Sequence, residues 1–206
     1  CLGVPLVEKL IKCGLEIQLL VSPSDKGITS WGNKIRIIYG SINSFDALNS
    51  LTRSCDVVFH LAGKVHSIPG TGKEEDDFFR VNVEGTRNLL NAARKNRVKK
   101  VVFYSTVGVY GKNADFHGDE FSPCQPGSVY AESKHLAEQL VLNSYKNGGP
   151  NGIVLRFPVA YGPLDRGNMA SLIKSIYHKY FFYFGDGNCL KSMISSRNAA
   201  EAAIKA

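Results

Sequence analysis

The sequence predicts a doubly wound α/β domain, a parallel sheet with helices on both faces, and three observations carry that prediction. Short runs rich in Val, Ile and Phe recur at 17–21, 35–38, 57–61, 101–104 and 153–157. Segments of helical pattern stand between them at 45–51, 77–93, 130–142 and 169–177, the alternation that builds a sheet buried on both sides. The chain has 206 residues, 44% of them apolar, the size and composition of one globular domain or one and a fraction.

Taken in order, Leu6, Val7, Leu10 and Ile11 follow the helical period, and Gly14 stops that helix before the first strand at 17–21. The strand at 35–38 precedes the helix at 45–51. Val57-Val58-Phe59-His60-Leu61 then breaks into Ala62-Gly63, and Val101-Val102-Phe103-Tyr104 breaks into Ser105-Thr106. Leu155-Arg156-Phe157 ends at Pro158. In open α/β sheets the ligand lies beyond the carboxyl ends of the strands, so these three breaks are the first places to look for chemistry.

Composition argues against several classes. No apolar run approaches the ~18 residues of a membrane span. Net charge is +7, but the densest basic run, Arg94, Lys95, Arg97, Lys99 and Lys100, ends a helix, where cations favour the negative end of the dipole, and no aromatic residues interleave with it. Nucleic acid and membrane are therefore not expected partners. Five cysteines, Cys1, Cys13, Cys55, Cys124 and Cys189, form neither a CxxC pair nor an even framework, so zinc ribbons and disulfide scaffolds are not expected and a reducing cytoplasm is. The chain begins without Met and without a charged then apolar leader. His60 lies in a buried strand with no ligand partners at metal spacing, so no metal is expected there or at His66.

Tyr130 and Lys134 form Tyr-x-x-x-Lys, one helical turn apart on one face. A phenol ionises near ~10, and an adjacent ammonium favours the phenolate. A helical Tyr–Lys pair is common by itself; here it follows the strand 101–104 with its terminal hydroxyls and precedes Arg156-Phe157-Pro158-Val159-Ala160-Tyr161-Gly162-Pro163. Asp56-Val57-Val58-Phe59-His60-Leu61-Ala62-Gly63 and Val81-Asn82-Val83-Glu84-Gly85-Thr86 stand upstream of both. In this order the motifs resemble the extended short-chain dehydrogenase/reductase superfamily, and within it the NAD(P)-dependent nucleotide-sugar epimerase/dehydratase family, along the whole chain.

That resemblance implies a Rossmann-type domain over residues 1–160 and the start of a small carboxyl-terminal substrate lobe over 161–206, interleaved with it. It implies Thr106, Tyr130 and Lys134 as catalytic residues: Tyr130 as acid/base, Lys134 as its pKa-lowering partner and ribose ligand, Thr106 as donor to the reacting hydroxyl. For NAD or NADP it implies Leu2 and Gly3 (the third glycine of a turn, there for close helix packing), Ser22, Ser41, Ile42, Leu61, Ala62, Gly63, Asn82 and Pro158, besides Tyr130 and Lys134. Ser22 stands where NADP-preferring members often carry Arg, and no acidic residue selects NAD, so the cofactor choice stays open; Ser22, Ser24 and Lys26 are candidates for a 2′-phosphate, with a solvated turn at Ser24-Asp25-Lys26 the favoured alternative. For a nucleotide-sugar substrate it implies Lys64, His66, Val107, Arg166 and Asn168, the last at the amino end of the helix at 169–177, which suits an anion or takes Asn168 as N-cap. The stretch 191–198 resembles a strand entering a helix.

The expected activity is hydride transfer to and from a hydroxyl carbon of a nucleotide sugar, with 4-epimerisation foremost. Two alternatives remain: a one-way reductase or dehydrogenase of a keto-sugar or hydrophobic ketone, and a non-catalytic dinucleotide-binding scaffold. Thr106 is followed by Val107 and Gly108, where the family's 4,6-dehydratases carry Asp-Glu, so dehydration is not expected. The resemblance further implies a homodimer through the helices at 77–93 and 130–142. The strand and two glycines that open the family's turn would precede Cys1, and residues 1–206 alone are expected to bind cofactor weakly, without turnover.

Overall fold

A computed structural model describes residues 1–24, 31, 35–65, 74–111, 118–163, 165, 167–182, 186–188 and 190–206, without the side chains of Glu74 and Asn168. The first helix, α1 (Gly3–Lys12), closes at Cys13 and Gly14, whose φ of 72° is the left-handed conformation a glycine adopts without strain. Then come β1 (Ile17–Val21), β2 (Ile35–Tyr39), α2 (Phe45–Thr52) and β3 (Val57–His60).

The expected single helix over 77–93 is instead three pieces. A short α3 (Glu74–Phe78) passes into a π-helical turn, Phe79–Glu84, and then α4 (Gly85–Lys95). The Thr86 hydroxyl donates to the Asn82 carbonyl at 2.6 Å, occupying an acceptor that a regular helix offers to a backbone N–H four residues on. The wide turn carries Asn82 and so belongs to the site, a common location for π-turns.

Beyond it lie β4 (Lys100–Thr106), a 3-10 turn at Val107–Tyr110, α5 (Val129–Asn143) and β5 (Asn151–Phe157). The chain ends in β6 (Val159–Tyr161), α6 (Asn168–Tyr177), β7 (Met193–Ser195) and α7 (Ser196–Lys205), so 191–198 is a strand-to-helix passage.

Every strand pair is parallel. The ladders are β1–β2, β3–β4–β5 and β6–β7, with Val57 opposite Lys100 and Thr106 opposite Phe157. Alternation along β4 assigns the faces. Val101 and Phe103 join Leu48, Leu89, Leu90, Ala137 and Val141 under α2, α4 and α5. Val102 and Tyr104 join Leu6, Val7, Leu10, Phe157, Ala199, Ala200 and Ala203 under α1 and α7. The final helix thus packs into the same core as the first, and a Lys9–Glu201 ion pair at 2.9 Å fastens them. Close approach of α5 to β5 depends on Gly152, where a β-carbon would run into the Val141 carbonyl oxygen.

The basic run is integrated into this framework. Arg94 and Lys95 end α4, Lys99 pairs with Asp56 at 2.7 Å, and Lys100 donates to the Ala206 carbonyl at 2.8 Å. No helix among the described residues is long and apolar enough to cross a membrane. Cys1, Cys13, Cys55 and Cys124 are free thiols.

Candidate active site

The site forms where β3 and β4 end against the first turns of α5. Ser128 caps α5 by accepting the Ala131 N–H at 3.2 Å, which starts the helix at Val129, one residue before Tyr130, and puts Lys134 one turn further on the same face. Lys134 is 4% exposed. Its ammonium donates to the Tyr104 carbonyl at 2.6 Å and lies 3.8 Å from the Phe103 ring centroid. Burial pulls its pKa down to about 7, against a smaller upward pull from Glu138.

Tyr130 packs its ring against Phe78, centroids 6.2 Å apart, and no hydrogen bond among the described residues takes up its hydroxyl. Burial pushes the phenol above its ordinary pKa. The expected lowering by Lys134 is therefore not present in this arrangement, because the ammonium is turned to the Tyr104 carbonyl. Thr106 ends β4, where its hydroxyl oxygen accepts the Gly108 N–H at 3.1 Å and stays partly exposed. A β-carbon on Gly108 would lie 3.3 Å from that oxygen and 3.9 Å from Ala131, which places Thr106 beside the turn of α5 that carries Tyr130.

Asn82 ties the loop after β3 to this helix. Buried to 1% exposure, it accepts the Lys64 N–H at 2.7 Å, donates to the Lys64 carbonyl at 3.0 Å and donates to Ser133 Oγ at 2.9 Å. Ser133 in turn donates to the Tyr130 carbonyl at 2.8 Å. A β-carbon on Gly63 would meet Asn82 Oδ1 at 3.1 Å and the Lys134 ammonium at 4.0 Å, so glycine keeps the loop backbone open beside the lysine. Lys64 pairs with Asp77 at 2.8 Å and lies 5.6 Å over the Phe78 ring that packs on Tyr130. Lys64 and Arg80 together hold the Asp77 carboxyl down at about 2.

His60 sits behind the site as a structural residue. Its Nε2 is 2.8 Å from Thr86 Oγ1; because that hydroxyl donates to Asn82, the ring nitrogen is the donor. Burial and the Lys134 charge lower its pKa to about 3, so it is neutral at ordinary pH.

The other expected residues divide. Leu61, Ala62, Gly63, Lys64, Asn82, Thr106, Val107, Tyr130 and Lys134 gather at the strand ends, with Pro158 where β5 passes into β6. Leu2 precedes α1 and packs into the second core, but a β-carbon on Gly3 meets nothing within 4 Å, so the close helix packing expected of this glycine is not seen. Ser22 bonds Ser24 at 2.8 Å, and Ser41 Oγ accepts the Asn43 N–H at 3.2 Å, both at exposed strand ends. Ile42 packs against α4, where a β-carbon on Gly85 would approach it to 2.9 Å; its side chain serves the core. His66, Arg166 and Lys26 lie outside the described residues, as does the Asn168 side chain.

The amino end of α6 is corrected too. Gly167 is the N-cap, Asn168 is the first helical residue, and Asp165 accepts the Gly167 and Ala170 N–H groups at 2.9 and 3.1 Å. The chain's own carboxylate thus takes up two N–H groups at this helix end. Residues missed from the sequence are Ser133, Tyr110, Glu138 and Arg156. The first precedes Lys134 and the third follows it by one turn, so the helical period could have found both.

The family model of the NAD-dependent epimerase/dehydratase family matches residues 1–206. An N-acetyl-alpha-D-glucosaminyl-diphospho-ditrans,octacis-undecaprenol 4-epimerase of Escherichia coli O157:H7 is 39% identical over 60% of this chain and 38% of its own length. A decarboxylating sterol-4-alpha-carboxylate 3-dehydrogenase of Candida albicans is 30% identical over 100% of this chain and 61% of its own. The crystal structure of a Thermus thermophilus UDP-glucose 4-epimerase in complex with NAD superposes with a TM-score of 0.83 at 25% identity, covering 100% of this chain and 70% of that one. The chain thus spans 38% and 61% of the two curated relatives' lengths. On the motifs, the fold and the match from end to end, it belongs to the NAD-dependent epimerase/dehydratase family.

Proposed function

We propose that the protein is an NAD(P)-dependent enzyme that epimerises a hydroxyl carbon of a nucleotide-activated sugar, foremost C4. The observation that carries this reading is the convergence of Tyr130, Lys134, Thr106 and the Gly63 loop at two adjacent strand ends, with the Tyr130 hydroxyl not engaged by the described residues.

The residues present fit a dinucleotide. The open backbone at Ala62 and Gly63, the Lys134 ammonium beside it and the phenol of Tyr130 would hold the nicotinamide ribose, and the ends of β1 and β2 with Ser22 and Ser41 would lie along the adenosine half. When bound, NAD(P) supplies the acceptor and donor of hydride. Tyr130 takes the hydroxyl proton of the sugar as the carbon is oxidised, and returns it when the carbon is reduced from its other face. Its phenol is raised by burial, so it needs a cation close by; Lys134 supplies that by leaving the Tyr104 carbonyl for the ribose and phenol. Thr106 donates to the same sugar oxygen, and Lys64, freed from Asp77, meets the sugar. His66, Val107, Arg166 and Asn168 complete the substrate side by family resemblance. NAD is supported by the complex named above; a homodimer through α4 and α5 is supported by the exposed Leu136 and Leu142 of α5. The reading places the enzyme in the cytoplasm.

A second reading, one-way oxidation or reduction of a ketone, is favoured by the match of a sterol dehydrogenase to the whole chain. Incubation of the purified protein with UDP-hexoses and UDP-N-acetylhexosamines and a catalytic amount of NAD, and in parallel with a keto-sugar or hydrophobic ketone and stoichiometric NADH or NADPH, separates the two. Interconversion of epimers without net NADH supports epimerisation, stoichiometric NADH or NADPH consumption supports the second reading, and neither overturns both.

A further inference from the structure

The charged groups that the proposed chemistry leaves unused meet behind α5. Glu138 lies one helical turn beyond Lys134 and is fully buried. Its carboxylate accepts the Arg156 Nε–H at 3.1 Å on Oε1 and the Nη2–H at 2.8 Å on Oε2. Arg156 comes from β5, and its Nη1 donates to the Tyr110 hydroxyl at 2.8 Å while the guanidinium lies 4.8 Å from that ring's centroid. Tyr110 closes the turn that follows Thr106, and its hydroxyl donates to the Asp119 carbonyl at 2.9 Å. One ion pair therefore joins the helix of Tyr130 and Lys134 to the turn of Thr106.

We infer that Glu138, paired with Arg156, is a positioning residue that sets the charge of Lys134 and fixes the turn after Thr106 to the back of α5. This rests on the catalytic reading of Thr106, Tyr130 and Lys134. The groups facing Lys134 leave Glu138 as the effective charge. From β3 comes His60, neutral; from β4 the Tyr104 carbonyl and the Phe103 ring; from the loop Gly63; from its own helix Tyr130 and Glu138. Glu138 itself faces Arg156 and, on its own helix, His135 Nδ1 at 3.7 Å, with Cys124 beside them. Glu138 stands one turn from Lys134 on the same helix, and its ion pair with Arg156 keeps the fully buried carboxylate ionised. Together the pair holds a desolvated ammonium partly protonated near neutral pH.

Two substitutions lower the Lys134 titration by removing the neighbouring negative charge, one directly and one through the cation that keeps it ionised, which a purely structural pair does not do. Glu138→Gln keeps the shape and removes the negative charge, so the Lys134 titration falls by about one pH unit. Arg156→Gln leaves the fully buried carboxylate without its cation, so it takes up a proton and the Lys134 titration falls as well. Lysine-selective NMR titration of the purified protein reads both without cofactor or substrate, so its failure is separate from a failure of the enzymatic reading. Glu138→Asp restores the wild-type titration. Tyr110→Phe leaves the titration in place while lowering kcat more than it changes KM. No shift or an upward shift of the Lys134 titration in either variant that folds, or loss of folding in both, would overturn the proposal.

Discussion

Replacing Lys134 by Met separates what this lysine does for the fold from what it does for catalysis. Burial lowers its pKa from 10.5 to about 7, so the folded protein binds this proton less tightly than the unfolded chain. Stability then rises with pH between those two values, and below about 7 the full cost of the buried ammonium is present. At about 1.4 kcal/mol per unit this cost is on the order of 5 kcal/mol. Methionine forfeits the hydrogen bond to the Tyr104 carbonyl, worth about 1.5–3 kcal/mol for a charged donor. Lys134→Met is thus expected to stabilise the protein by about 3 kcal/mol at pH 6. The gain shrinks as pH rises above about 7, where the folded-state lysine becomes neutral, and is gone by about pH 10, close to the ordinary value of 10.5 that the unfolded chain keeps. Urea unfolding of both proteins at pH 6, 8 and 10 measures it. A variant less stable than wild type at pH 6, or a gain equal at pH 6 and 10, would refute the reasoning. Gained stability with lost activity is the trade expected where a buried charge is kept for chemistry.

Tyr130→Phe removes only the ionisable oxygen and is expected to cost at least ~10²-fold in turnover while leaving the fold and most of the cofactor affinity intact; steady-state rates, thermal melts and cofactor titration check these. Because Val107 and Gly108 follow Thr106 and neither transfers a proton, no 4-keto-6-deoxy sugar is expected from UDP- or dTDP-hexose, and mass spectrometry of the product detects one if it forms. Gly152→Ala drives a β-carbon into the Val141 carbonyl and is expected to cost about 3 kcal/mol by denaturant unfolding, a loss of under about 1 showing that α5 and β5 separate easily. Lys64→Met breaks the pair with Asp77 beside Tyr130 and is expected to raise the substrate KM several-fold with kcat nearly unchanged; an unchanged KM removes Lys64 from the substrate side.

The strands were legible because buried parallel strands are unbroken apolar runs, and each expected run falls within or a residue beyond an observed strand. Helix 45–51 and helix 130–142 were legible from their periods. The π-turn at Phe79–Glu84 was not, because Phe79, Val81 and Val83 suit a regular helix equally, and only the contact of Asn82 with Lys64 and Ser133 in space fixes the wider winding. Strand β6 escaped because its three residues are too few for a period. In the site, Tyr130 and Lys134 were visible from their spacing. The burial that turns Lys134 toward the Tyr104 carbonyl depends on Phe103 and β4, far away in sequence, and so did not appear in the motif. Asp165 capping α6 was hidden for the opposite reason, since local polar residues compete for one helix end and the sequence does not rank them.

The most direct test of the central claim follows the hydrogen at the reacting carbon. UDP-sugar carrying deuterium at C4 is incubated with the purified protein and NAD, and the products are read by mass spectrometry and NMR. Hydride transfer out and back predicts an inverted C4 that retains its deuterium, in Tyr130→Phe an absence of that product, and no exchange with solvent. Deuterium lost to water, or inversion that survives Tyr130→Phe at the wild-type rate, would contradict the account.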